Sequence, residues 1–122
     1  MSENKDLGDI GEEIAFQHLL KKGYKIKDRN WRFAHYEIDL IALDKNELVI
    51  VEVKTRSASI YEEPRDTISD KKIRFLINAA EAYIEKHKID LETRFDVVAI
   101  KWFGHGKYEL EHIEGAFIPP VN

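Results

Sequence analysis

Residues 37–54 read EIDLIALDKNELVIVEVK, and the folding of this stretch decides both architecture and chemistry. Ile, Leu and Val crowd Glu37 to Leu43 and Leu48 to Lys54, while Asp44-Lys45-Asn46-Glu47 between them suits a hairpin turn. Two antiparallel strands are expected. With Lys45 and Asn46 as the loop, Leu43 faces Leu48, Asp39 faces Glu52 and Glu37 faces Lys54; a four-residue loop in the same register keeps these pairs. Side chains alternate between faces, so Glu37, Asp39, Glu52 and Lys54 are expected on one side and Ile38, Leu40, Val51 and Val53 on the other. A three- or five-residue loop would mix apolar and charged residues on both faces, so the pattern favours the first register.

Like charges directly opposed across a sheet are destabilising, and Asp39 opposite Glu52 asks for a reason. A hard divalent cation supplies one. Mg²⁺, or Mn²⁺ in its place, accepts carboxylate oxygens, at about 2.0–2.1 Å for Mg²⁺, and commonly uses one or two protein carboxylates plus a substrate phosphate. Asp39 and Glu52 are thus candidate metal ligands. Lys54, two residues past Glu52, shares its face, where an ammonium can orient a nucleophile and offset negative charge. That set suits phosphodiester hydrolysis. The alternative is a solvated sheet face with a Glu37 to Lys54 ion pair.

Outward from the hairpin, the elements follow in a readable order. From Asp6 to Lys22, Leu7, Ile10, Ile14, Leu19 and Leu20 recur at roughly helical spacing, and Gly23 is placed to end the helix. On its wheel Glu12 falls between Leu19 and Phe16, facing inward, whereas Glu13 lies on the polar side. A first-turn carboxylate also suits the helix dipole, so Glu12 has a structural reading beside the functional one. Tyr24 to Phe33 alternates as a half-buried strand that bends near Asp28 to Asn30. After a loop through Pro64, the stripe Ile73, Leu76, Ile77, Ala80, Tyr83 and Ile84 predicts a helix over 70–87, capped by Ser69. Arg94 to Lys101 is a nearly continuous apolar run, expected to be an inner strand parallel to its neighbour because a helix precedes it. Tyr108 to Ile113 reads as an edge strand, and Pro119 to Asn122 as a loose end. The order implies one α/β domain over residues 1–122, with a mixed sheet of antiparallel hairpin plus parallel crossover, covered by helices.

Composition narrows the function. Nineteen Lys and Arg stand against 23 Asp and Glu, a net charge of −4, which argues against coating nucleic acid by bulk positive charge. The chain has no cysteine, so disulfides, thiol nucleophiles and cysteine zinc sites are excluded. No apolar run reaches membrane-span length and the N-terminus lacks the shape of a signal peptide, so a cytoplasmic protein without a membrane partner is expected. His18, His35, His87, His105 and His112 form no HxH or HExxH spacing. His35, beside the acidic strand, is a candidate proton donor.

Local basic charge remains. Lys25, Lys27, Arg29 and Arg32 fall in a basic stretch, Arg56 follows the second hairpin strand, and Lys72 opens the second helix; these are the candidate phosphate contacts. Taken singly, each also reads as a solvated surface charge. Trp31, Phe33, Tyr36 and Tyr61 can stack on unpaired bases, though aromatics at such spacings more often fill a core or its rim.

The ordered set of Gly11-Glu12-Glu13-Ile14-Ala15, Glu37-Ile38-Asp39-Leu40-Ile41 and Glu52-Val53-Lys54 resembles the PD-(D/E)xK nuclease pattern of the restriction-endonuclease-like superfamily. More closely, the chain resembles the YraN-like family, related in fold to archaeal Holliday junction resolvases. The likeness extends through Arg29-Asn30-Trp31-Arg32, Arg94-Phe95-Asp96-Val97-Val98, His112-Ile113 and Ala116-Phe117. It implies a three-layer restriction-endonuclease-like fold, metal binding by Asp39 and Glu52, assistance to the attacking water by Lys54, and an acidic site completed by Glu12. Lys72 matches a lysine of the family. The chain departs from the pattern at Tyr36, where a glycine is common, and at Ile60 to Pro64, which replaces a glycine-containing loop. The expected function is a metal-dependent nuclease acting on DNA, on branched or single-stranded structures in repair or recombination. The rival is a catalytically silent module that binds nucleic acid or a protein; a third reading makes the acidic face a protein interface. A homodimer would suit a two-stranded substrate, but no residue pattern specifies a symmetric interface.

Overall fold

The computed structural model describes residues 6–59 and 68–118. The Pro64 loop, Tyr61, the Ile60 to Pro64 departure and the Pro119 to Asn122 end therefore lie outside the described residues. Helix α1 spans Leu7–Lys21 and α2 Asp70–His87; the strands are β1 Lys25–Phe33, β2 Tyr36–Asp44, β3 Glu47–Ser57, β4 Glu92–Gly104 and β5 Lys107–Ile113. They form one sheet in the order β1-β2-β3-β4-β5. The β3–β4 pair is parallel and the other three are antiparallel. The sheet is thus mixed α/β, as the pattern predicts, with the parallel step made by the α2 crossover.

Local chemistry explains the boundaries. Asp6 caps α1 by accepting the Gly8 N–H, and Ser69 caps α2 by accepting the Lys72 N–H. Past α1, Gly23 adopts φ +92° while its N–H reaches the Leu20 carbonyl and that of Tyr24 reaches Leu19, the paired bonds of a Schellman ending. Lys88 fills the same role after α2 at φ +53°, a left-handed conformation that disfavours a side chain. Edge strand β1 carries exposed Lys25, Lys27 and Arg29, charges that discourage pairing with another chain.

Each face of the sheet holds one core. Ala15 and Leu19 of α1 pack with Leu40, Ala42, Val49, Val51, Val98 and Ile100. On the other face, Leu76, Ala79, Ala80 and Tyr83 of α2 pack with Ile38, Ile41, Leu48, Ile50 and Phe95. The three layers are α1, sheet and α2.

The hairpin register holds for Leu40↔Val51 through Asp44↔Glu47, and Leu43 faces Leu48. Beyond Leu40, β2 parts from β3. It stays paired with β1 through Trp31↔Ile38, Arg32↔Glu37 and Phe33↔Tyr36. Two expectations are corrected here. Glu37 does not face Lys54 in the ladder; it pairs with Arg32, whose guanidinium lies 3.5 Å away. Nor do Ile38 and Leu40 share a face: Ile38 joins the α2 core and Leu40 the α1 core, so the alternation breaks at Asp39. In β1 the same break falls at Asn30, between Arg29↔Leu40 and Trp31↔Ile38, where φ is +51°. The physical reason is the left-handed Asn30 opposite Asp39, which resets the period-two pattern in both strands together. The bend expected near Asp28 to Asn30 resolves into this reset and a bulge between Ile26 and Asp28.

Candidate active site

Asp39 sits where β2 leaves β3, and its side chain takes over from the ladder. In the continued register Val53 would bond to β2 backbone; instead its N–H donates to Asp39 Oδ2 at 2.8 Å. This anchors the Asp39 carboxylate beside Glu52, which is 8% exposed. The two acids meet through their side chains and not as a ladder pair. Each is pushed above the usual carboxylate range, first by burial. For Glu52 the neighbouring Asp39 adds to that, and the group is raised to about 7 although Lys72 and Lys54 pull it down. Burial raises Asp39 too, against the Val53 N–H and Lys72.

Gly11 brings a third acid to this place. A Cβ on Gly11 would lie 2.8 Å from Thr55 Cβ and closer still to its Oγ1, so only glycine lets α1 rest directly on β3 just past Lys54. That contact sets Glu12, the half-buried neighbour, within electrostatic reach of Asp39. Burial, then Asp39 and Asp9, raise Glu12 to about 7 against a hydrogen bond from the Asn30 side chain. The two residues at the alternation break, Asn30 and Asp39, therefore both serve the acidic cluster.

The cations are placed unequally. Lys54 is half-buried and lowers the Glu52 pKa by its charge. Lys72 reaches across from the first turn of α2, with Nζ 3.7 Å from Glu52 Oε2. The sequence marks Lys72 as a phosphate contact; its approach to Glu52 was not foreseeable, since the β3–α2–β4 crossover creates it. Arg29 turns toward α1, bonding Glu13 at 2.9 Å with its guanidinium 3.9 Å from the Phe16 ring centre. Arg56, half-buried, donates to the Thr55 carbonyl at 3.1 Å. Lys25 and Lys27 are exposed on β1, and Arg32 lies near the hairpin tip beside Glu37. His35 sits at that tip against Tyr36, with ring centres 4.3 Å apart.

Another polar centre carries no part of the expected chemistry. Arg94 donates to Asp44, Glu47, Asp96 and the Tyr24 hydroxyl. Asp96, 1% exposed, also pairs with His112 at 2.8 Å and accepts the Gly115 N–H. Burial alone would raise Asp96, but the bonds from His112, Arg94 and Gly115 hold it below the usual carboxylate range. This network ties the β2–β3 turn, Tyr24 just before β1, β4, β5 and the segment after β5.

As a metal site the acidic pair is minimal. Among the described residues, no group of three or more His, Cys, Asp and Glu side chains is arranged to hold an ion by itself. Two mutually repelling carboxylates, Glu52 buried and Asp39 half-buried, still offer the hard oxygen donors that Mg²⁺ or Mn²⁺ takes when waters and phosphate complete the shell. The donor set fits.

Residues 11–100 match the model of a family described as uncharacterised protein family UPF0102. The chain belongs to the UPF0102 family. A UPF0102 protein of Bacteroides thetaiotaomicron is 42% identical over 122 residues, covering 99% of both chains. Another, from Flavobacterium psychrophilum, is 44% identical over 117 residues, 96% of this chain and 98% of its relative. The YraN-like resemblance of the sequence is thereby supported at the level of the UPF0102 family. Gly11, the acidic residues, Lys54 and Lys72 all fall within the matched UPF0102 span, and no helix among the described residues is long and apolar enough to cross a membrane.

Proposed function

We propose that this UPF0102 chain is a metal-dependent nuclease that hydrolyses DNA phosphodiester bonds, built on the PD-(D/E)xK plan. The observation that carries the reading is the meeting of half-buried Asp39 and buried Glu52, both raised in pKa, beside Lys54 and Lys72. A fold gains no stability from opposing two carboxylates out of water. Asp39 and Glu52 would hold Mg²⁺ or Mn²⁺, and a bound ion supplies Lewis acidity toward a phosphoryl oxygen. Asp39 is held for this by the Val53 N–H. Lys54 orients the attacking water and offsets charge gathering on the phosphate. Lys72, at the N-terminus of α2, adds a cation where helix N–H groups already favour phosphate. Glu12, raised to about 7, can accept a proton at neutral pH.

The test is cleavage of labelled single-stranded, duplex, flap and four-way-junction DNA with Mg²⁺, Mn²⁺ or chelator, for wild type, Asp39→Ala and Lys54→Ala. Metal-dependent cutting that both variants lose is expected. No cutting of any substrate, or cutting that survives both substitutions, overturns the reading. One observation favours the silent binding module instead: Lys72 already lies 3.7 Å from Glu52 and partly neutralises it without an ion. That module would bind DNA equally with chelator and with Mg²⁺.

A further inference from the structure

At the β1–β2 hairpin tip Phe33 joins neither core, while its neighbours Trp31 and Tyr36 pack against the α2 side. Phe33 is 46% exposed and lies nearly parallel to Trp31, with ring centres 6.0 Å apart and 17° between planes. Trp31 is braced from beneath by Tyr83, edge to face at 5.1 Å, and the Tyr83 hydroxyl is held by Asp28 at 2.7 Å. The exposed ring therefore sits on a rigid base. Across the tip, His35 lies against Tyr36, and Tyr36 packs against Phe75 at 5.4 Å. Lys72 Nζ lies 5.1 Å from the Phe75 ring centre and 3.7 Å from Glu52. A continuous run of contacts thus leads from the hairpin aromatics to the acidic pair.

Ammonium groups border the rings on this face. Lys86 Nζ lies 5.5 Å from the Phe33 ring centre and Lys72 Nζ 5.1 Å from that of Phe75, whereas Arg32 alternates to the opposite face of the ribbon beside Glu37. A purely apolar peptide would use the rings but not the cations. Flat π faces bordered by ammonium groups match a nucleobase joined to its phosphates.

We propose that the β1–β2 hairpin tip is a base-stacking wedge, in which Phe33, backed by Trp31, receives an unpaired nucleobase of the strand whose phosphodiester lies at Asp39 and Glu52. This deepens the nuclease reading, on which it rests, by naming the substrate class: strands with unpaired bases, at a flap, junction or single-stranded end. A base inside an intact duplex already has two stacking partners and gains little from the wedge. The reset at Asn30 and Asp39 puts wedge and acid on one arm, since Ile38, Tyr36 and Trp31 turn to the α2 side only because the alternation breaks there.

The test uses the full chain with chelator present, so that binding is read without cutting. Flap DNA with 2-aminopurine in its unpaired arm is titrated, with fully duplex DNA of the same sequence as control, for wild type, Phe33→Ala and Phe33→Leu. Quenched fluorescence is expected on binding wild type. Both variants should lose the quench and bind flap DNA roughly tenfold more weakly, with duplex affinity unchanged. The leucine variant keeps an apolar side chain at an exposed position, so it checks that folding is intact and that the π face matters. Equal flap affinity in all three proteins overturns the wedge, as does no fluorescence change. A Phe33→Leu variant that matches wild type while Phe33→Ala weakens also overturns it, since that describes an apolar contact of the kind a protein partner makes. The two readings fail separately. An uncut DNA panel with the flap quench intact removes the nuclease and leaves the wedge; metal-dependent cutting with no Phe33 effect does the reverse.

Discussion

Replacing Glu52 by Gln should stabilise the protein at pH 8. In the folded chain Glu52 keeps its proton up to about pH 7, because burial and then Asp39 disfavour the second negative charge. The unfolded chain releases that proton near its ordinary value of 4.5. Between those values the folded state binds more protons, so stability falls as pH rises. Each pKa unit corresponds to about 1.4 kcal/mol, so the loss complete by pH 8 is roughly 3 kcal/mol for this nearly buried group. Glu52→Gln keeps the shape, removes the charge and should recover that amount, raising Tm by roughly 10 °C in a chain of this size. At pH 5, where the folded pair holds its proton, the two proteins should differ little. The assay is urea unfolding from pH 4.5 to 8.5 with chelator, repeated with Mg²⁺. An ion that binds only the folded state at a hundred times its Kd stabilises by about 2.7 kcal/mol; wild type should show such a gain at pH 8 and Glu52→Gln should not. A flat wild-type profile together with a less stable Glu52→Gln would refute the argument, because Lys72 and Lys54 would then neutralise the pair and leave no role for a cation.

Gly11→Ala should cost roughly 1–3 kcal/mol in urea unfolding, because the methyl group would meet Thr55 and lift α1 from β3; by displacing Glu12 it should also slow DNA cleavage by more than the stability loss accounts for. Arg94→Leu should cost about 3–5 kcal/mol by leaving Asp96 buried without its guanidinium, read from the urea midpoint at pH 7. Lys88→Gly should stabilise by about 0.5–1 kcal/mol, because glycine accepts φ +53° without strain; its thermal midpoint should rise with no change in DNA binding.

Local rules made much of the fold legible. The Ile73 to Ile84 stripe and Ser69 delimit α2, Gly23 marks the exit from α1, and the apolar run at Phe95 to Ile100 foretells the parallel strand. The turn at Lys45 and Asn46 gives the register of every β2–β3 pair. Extrapolation failed over its last three positions, from Asp39 to Glu37, because period-two alternation assumes an unbroken strand. A left-handed Asn30 in the neighbouring strand leaves no mark in the 37–54 pattern. The nearness of Asp39 to Glu52 was legible from the hairpin turn, although their side chains meet without a ladder pair between them; Lys72 beside Glu52, and Tyr24 and His112 around Arg94 and Asp96, were not, because tertiary packing brings them from other elements. Inward-facing Glu12 was legible from the helical wheel, whereas its tight seat depends on the contact between Gly11 and Thr55.

The parting of β2 from β3 at Asp39 also has a mechanical meaning. Below that point five strands share one ladder; above it the β1–β2 ribbon runs as a forked limb, joined to its own partner strand and leaning on α2. Past the fork, side chains take over from the ladder in holding the limb to the rest of the molecule: Asp39 accepts the Val53 N–H at its root, and Tyr36 packs on Phe75 of α2 nearer the tip. The seat of the limb therefore depends on the same Asp39 carboxylate that borders Glu52, so a substitution there strikes the architecture of the fork as well as the acidic pair.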